Sequence, residues 1–198
     1  ENLGEIAWVR ELVPPAKHYG DAYRKFGLLG GDYPCIMAHC VHCDEAELEL
    51  LRENGVFIAH SPESNMNIAS GVAPVNRFLD LEIPTGLATD VAGGSHESMF
   101  RAMTHAIQAS KLRWRLLDQS VAPLTFDTAF YLATRGGGAF FGQVGAFDPG
   151  YELDALVLDD GNLDHPQPLT ARERLERLAY LGDERNIHGK AVAGTRLF

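Results

Sequence analysis

Three short, almost wholly apolar runs constrain this chain more than any other feature, because each ends on a side chain that can bind a metal or carry a proton. They are Cys35-Ile36-Met37-Ala38 before His39, Val56-Phe57-Ile58-Ala59 before His60, and Gly86-Leu87-Ala88-Thr89 before Asp90. Runs this short and apolar on both faces predict strands of a parallel sheet covered by helices. Helical patterns fill the intervals. Asp44 with Glu47 three residues on predicts a capping box opening a helix that carries Leu48 and Leu51 and closes at Asn54-Gly55. Gly71 to Leu81 places Val72, Val75, Phe78 and Leu79 on one side, and a helix from Ser95 onward carries Met99, Met103, Ala106 and Ile107 in register. Strand followed by helix, repeated, is the βα unit. In a (β/α) barrel the loops at the strand C-termini build the active site, where these three polar residues would stand. A doubly wound open sheet produces the same local pattern, so periodicity leaves both architectures open.

The flanks read differently. Residues 3–13 predict a helix stopped by Pro14 and Pro15. After about residue 120, Leu124 to Thr134 predicts a helix broken or bent at Gly136-Gly137-Gly138, and Asp154 to Asp159 a strand. Gly161 to Pro168 reads as a polar loop, Arg172 to Leu181 as a charged amphipathic helix, and Lys190 to Phe198 as a final strand.

Composition removes several classes of function. The 198 residues are 45% hydrophobic, enough for a sizeable core. Seventeen basic against 27 acidic residues give a formal charge of −10, with no basic cluster, so polymeric nucleic acid is not an expected partner. No apolar run approaches the roughly 20 residues of a membrane span, and the N-terminus has no basic-then-apolar signal. The expected location is the cytoplasm. All three cysteines fall between Cys35 and Cys43, which does not make a secreted disulfide framework.

His39-Cys40-Val41-His42-Cys43 has the spacing of half a zinc ribbon or of a redox pair. A ribbon needs a second Cys/His pair, which is missing downstream. Structural thiols in the wall of the fold are the simpler reading of Cys35, Cys40 and Cys43. The cytidine-deaminase zinc signature is absent as well. Asp90 is the sharper signal: it follows an apolar strand and precedes Val91-Ala92-Gly93-Gly94, a loop with little side-chain bulk. A helix N-cap or turn aspartate is the competing reading.

The stretches Met37-Ala38-His39, Ile58 to Asn65, Gly86 to Asp90 and Gly150 to Ala155 resemble, in order and spacing, the later strands of amidohydrolase deaminases and chlorohydrolases. Thr89 to Gly94 and Tyr180 to Ile187 resemble the guanine deaminase family within that group, and Glu1-Asn2 matches the end of its H-x-x-E-N segment. The resemblance covers nearly the whole chain. It implies an α/β fold, a TIM-like (β/α) barrel of the metal-dependent amidohydrolase type represented by its later βα units, with part of a small accessory β domain at the C-terminus. Residues 1–145 would be the C-terminal half of the barrel and 146–198 the extension. It further implies a mononuclear Zn2+ site, with Fe2+ as the alternative metal, built from an H-x-H pair, a further histidine and an aspartate. Asp90 matches the aspartate; the other ligands would lie upstream of residue 1, with His39 as the remaining candidate donor.

In the same resemblance His39 orients water and substrate, Glu1 moves protons to the purine ring, and His60 supports its strand. Glu1, His39 and Asp90 are thus the expected catalytic and substrate-binding residues. The implied reaction is hydrolysis of guanine to xanthine and ammonia in purine catabolism. The implied partners are a small purine, the N-terminal part of the same enzyme, and a second copy in a homodimer. Ser95-His96-Glu97-Ser98 departs from the small or aromatic residues usual there, which bears on the local loop shape. Two alternatives stand beside this reading: a related amidohydrolase acting on another amino- or chloro-substituted heterocycle, and a non-catalytic barrel remnant serving as a scaffold.

Overall fold

The computed structural model describes residues 2–198. Helix α1 (Leu3–Leu12) begins at Asn2, whose side chain accepts from the Gly4 amide, and ends before Pro14 as expected. Helix α2 (Tyr19–Lys25) follows, then strand β1 (Ile36–Ala38), helix α3 (Glu45–Glu53), strand β2 (Phe57–His60) and the short helix α4 (Pro62–Asn67). Helix α5 (Val75–Asp80), strand β3 (Thr85–Leu87) and the long helix α6 (Met99–Leu116) complete the repeating part. The three strands form one parallel sheet in the order β1-β2-β3. Consecutive parallel neighbours joined by helices are the βα units that the apolar runs predict.

The core lies between this sheet and its helices. Val56, just before β2, and Ile58 within it join Leu48 and Leu51 of α3, Phe78 of α5 and Met103, Ala106 and Ile107 of α6 in one cluster, all buried. Burying each large side chain contributes about 1.5–3 kcal/mol. Helix α3 uses the expected Asp44 cap, its carboxylate accepting from the Glu47 amide at 2.9 Å. The expected second half of the capping box does not form. The buried Glu47 carboxylate accepts from the Gly20 amide at 2.6 Å instead, tying α2 to α3. Two helix starts are later than the pattern predicts: residues 71–74 precede α5, and α6 begins after the Ser98 cap rather than at Ser95.

Beyond α6 come α7 (Phe126–Tyr131) and a π-helical turn, Leu132–Gly136, that packs against β3. The run Gly136-Gly137-Gly138, expected to break or bend the helix, does not interrupt it: helical geometry continues through Gly138. A Cβ on Gly86 of β3 would lie 2.6 Å from the Cα of Gly137, just past the turn, so the strand passes there only as glycine. The last part is a separate antiparallel sheet of β4 (Ala155–Leu158), β5 (Ile187–Val192) and β6 (Thr195–Arg196), with helix α8 (Ala171–Leu181) between β4 and β5. The expected single terminal strand is thus a hairpin. Ala193 and Gly194, both at positive φ, turn the chain back on itself. Among the described residues no helix is long and apolar enough to cross a membrane.

Candidate active site

His39, His60 and Asp90 stand at or just past the C-terminal ends of β1, β2 and β3, on the same edge of the sheet. The chain leaves β1 abruptly: His39 and Cys40 both take left-handed conformations, with φ of 68° and 48°. Asp90 does the same after β3, at φ 51°. For residues with a Cβ such conformations cost on the order of 1–2 kcal/mol each and persist only where neighbours over-determine them. Here the His39 amide donates to Ala59 O at 2.9 Å, and Asp90 O accepts from the Gly94 amide at 2.6 Å.

These turns bring two of the expected residues together. His39 Nε2 lies 3.7 Å from Asp90 Oδ2, beyond a direct hydrogen bond but close enough to share one atom between them. The other ring nitrogen, Nδ1, is 2.8 Å from Asn65 Oδ1. The His39 side chain is mostly buried, whereas the Asp90 carboxylate is 39% exposed and reachable from solvent. Asp90 is not a helix cap, because Ser98 occupies the N-cap of α6 and its hydroxyl accepts from the Arg101 amide.

His60 belongs to the wall of the site. It is buried, and burial, with the nearby His39 adding to the effect, pushes its pKa down to about 3, so the ring stays neutral. Its Nδ1 has no hydrogen-bond partner among the described residues. Glu1 lies outside the described residues.

Helix α4, on which no candidate site residue was placed, holds both strand ends. Pro62 at its first position and Ser61 before it start the helix directly at the end of β2. Besides the Asn65 contact to His39, Asn67 Nδ2 donates to Gly93 O at 2.9 Å, and the Glu63 carboxylate accepts from the Ser95 hydroxyl. Burial alone would raise the Glu63 pKa, but the Ser95 hydroxyl and His105 hold it below the usual carboxylate range. Ser95 and His96, the residues at which the family pattern is broken, are thereby engaged: Ser95 with Glu63, and His96 Nε2 with Arg101 Nη1 at 3.0 Å.

The three cysteines are free thiols. A hydrogen bond with Cys40, then burial, raises the Cys43 pKa, so it stays a thiol rather than the thiolate that redox chemistry uses. A cavity of about 340 Å³ lies on the helix side, lined by Leu48, Val75, Arg77, Arg113 and Trp114 among others, and includes neither His39 nor Asp90. Among the described residues no group of three or more His, Cys, Asp or Glu is arranged to hold a metal ion. The carboxylate of Asp90 and the imidazole of His39 are nonetheless donors of the kind zinc takes, facing one another across the strand ends. They suit part of a metal centre.

The family model described as the amidohydrolase family matches residues 1–197. The chain is 33% identical over 204 residues to the guanine deaminase of Dictyostelium discoideum and 36% identical over 210 residues to that of Mus musculus, covering 100% of this chain and 45% of each relative. A crystal structure of guanine deaminase from C. acetobutylicum with bound guanine in the active site is similar with a TM-score of 0.95 and 45% identity, covering 100% of this chain and 47% of that one. The chain thus spans a little under half the length of the relatives it matches.

Proposed function

The chain belongs to the amidohydrolase family, and from that premise we propose that it forms the later half of the catalytic barrel of an enzyme that hydrolyses guanine to xanthine and ammonia. The observation that carries this reading is the approach of His39 Nε2 to 3.7 Å from Asp90 Oδ2 at the C-terminal edge of a parallel sheet. Guanine is the substrate of choice because the relatives that match the whole chain are guanine deaminases. Residues 1–145 would then be barrel and 146–198 extension. The outer face of β1 supports an unfinished barrel: Ile36 is 44% exposed on a parallel strand, where closed barrels bury such residues. The N-terminal part of the enzyme would cover that face, and a homodimer in the cytoplasm remains the proposed assembly.

Hydrolytic deamination adds water to an electron-poor ring carbon, breaks the carbon–nitrogen bond and delivers a proton to the departing amine. Asp90, with His39 as the further candidate donor in this chain, would hold a zinc ion or Fe2+, which when bound would lower the pKa of water to about 7. Asp90 accepts the proton that the attacking water gives up. His39 holds that water in line with the ring carbon, a constraint that commonly changes rates by orders of magnitude. Glu1 protonates the ring nitrogen beside the attacked carbon, the proton held on Asp90 passes to the amine so that it leaves as ammonia, and Glu1 takes up the hydroxyl proton as the carbonyl forms.

The test is ammonia release by the zinc-loaded full-length protein across guanine, adenine, cytosine and an amino-triazine. Guanine is expected to turn over fastest. Equal or faster turnover of adenine or the triazine would overturn the guanine assignment in favour of a related amidohydrolase, and no turnover together with no bound zinc would favour the scaffold.

A further inference from the structure

Both residues of the centre are held by α4, a helix to which the mechanism assigns no role. Asn65 and Ser64 are each 1% exposed, so the contact between Asn65 Oδ1 and His39 Nδ1 at 2.8 Å is shielded from water. A neutral imidazole carries one proton, and the partner of one nitrogen decides what the other can do. With Oδ1 toward the ring, the amide accepts from Nδ1–H. Nε2 then presents its lone pair on the side of Asp90. With the amide reversed, Nδ2 would donate to Nδ1 and the proton would sit on Nε2, leaving no lone pair there for a water to donate to.

Resting on the deaminase reading above, we infer that Asn65 is a positioning residue: its Oδ1 fixes His39 as the Nδ1–H tautomer, so that Nε2 accepts a hydrogen bond from the attacking water beside Asp90. The rest of α4 makes this a fixed relation rather than a local contact. Asn67 holds Gly93 O, and Ser64 Oγ packs where a Cβ on Gly93 would lie, 2.5 Å away, so the element that orients His39 also sets the loop that carries Asp90.

The discriminating pair is Asn65→Asp, which keeps an acceptor at that point, and Asn65→Leu, which keeps the shape and removes it. In the zinc-loaded full-length protein, Asn65→Asp is expected to stay within about tenfold of wild-type kcat. Asn65→Leu is expected to lose about 10- to 100-fold in kcat, the usual range for a partner behind a site residue, with KM for guanine nearly unchanged. In ¹⁵N-histidine-labelled protein, the His39 resonances, assigned by their loss in His39→Gln, should report a protonated Nδ1 in wild type and in Asn65→Asp. A protonated Nε2, or an Asn65→Asp variant as slow as Asn65→Leu with zinc content and melting temperature unaltered, would overturn the inference. If Asn65→Leu does not fold, the wild-type and Asn65→Asp spectra still decide the tautomer. A wild type that does not deaminate guanine overturns the functional reading instead, and the wild-type spectrum separates that failure from a wrong tautomer.

Discussion

Ser64 Oγ occupies the space that a side chain at Gly93 would need: a Cβ there would stand 2.5 Å from that oxygen and 3.0 Å from Asp90 Oδ2. The loop after β3 can therefore pass α4 only as glycine, and the position of the Asp90 carboxylate is tied to that passage.

Gly93→Ala should on this account displace the Asp90 loop while leaving the fold intact, because Gly93 does not take a positive φ. A loss of about 10- to 100-fold in kcat is expected, with the melting temperature changed by only a few degrees, since misplacing a reacting group by about 1 Å costs rate of that order. Ser64→Ala removes the obstructing oxygen, which has no hydrogen-bond partner among the described residues, and should restore most of the rate in the double variant. Steady-state kinetics of the three variants decide it. A fully active Gly93→Ala would show that the carboxylate position does not depend on this contact.

Much of this site is legible in the sequence. The apolar runs ending on His39, His60 and Asp90 are short enough to be strands and apolar enough to be covered on both faces, and parallel pairing then puts their ends on one edge. What periodicity does not carry is contact across sequence distance. Asn65 and Ser64 lie in a six-residue helix, too short for a repeating apolar face, and their partners are 26 or more positions away. Beside the resemblance of Ile58 to Asn65 to a family stretch, the local signal is Ser61-Pro62 at the end of an apolar run, a helix start with nothing to say what the helix holds. Glu47 fails for the same reason. Three residues after Asp44 it has capping-box spacing, yet the Gly20 amide, from another helix, takes its carboxylate. The terminal hairpin was hidden because Ala193, unlike Gly194, gives no turn signal, although both adopt positive φ.

The buried neutral His60 makes stability depend on pH. Its folded pKa of about 3 lies below the ordinary value of 6.5, so between these limits the unfolded chain binds a proton that the folded one does not. Stability is therefore fully present above about pH 6.5 and declines as pH falls toward 3. From pH 7.5 to pH 5 the loss attributable to this residue is about 2 kcal/mol. In urea unfolding of the full-length protein, His60→Gln should show a drop over that interval smaller by about this amount. Parallel pH profiles for the two proteins would mean that His60 is not held neutral by burial.

The central claim is that Asp90 is a metal-binding, proton-accepting group and not a turn residue, and Asp90→Asn tests it most directly. The amide has nearly the shape of the carboxylate, and no helix cap depends on it, since Ser98 caps α6. Guanine-dependent ammonia release by the zinc-loaded full-length variant should fall by 10²- to 10⁴-fold, the usual worth of a general base, with melting temperature held within a few degrees. Asp90→Ala should in addition lose zinc. Wild-type turnover by Asp90→Asn at normal zinc occupancy would contradict the account, since the carboxylate facing His39 would then have no part in the chemistry.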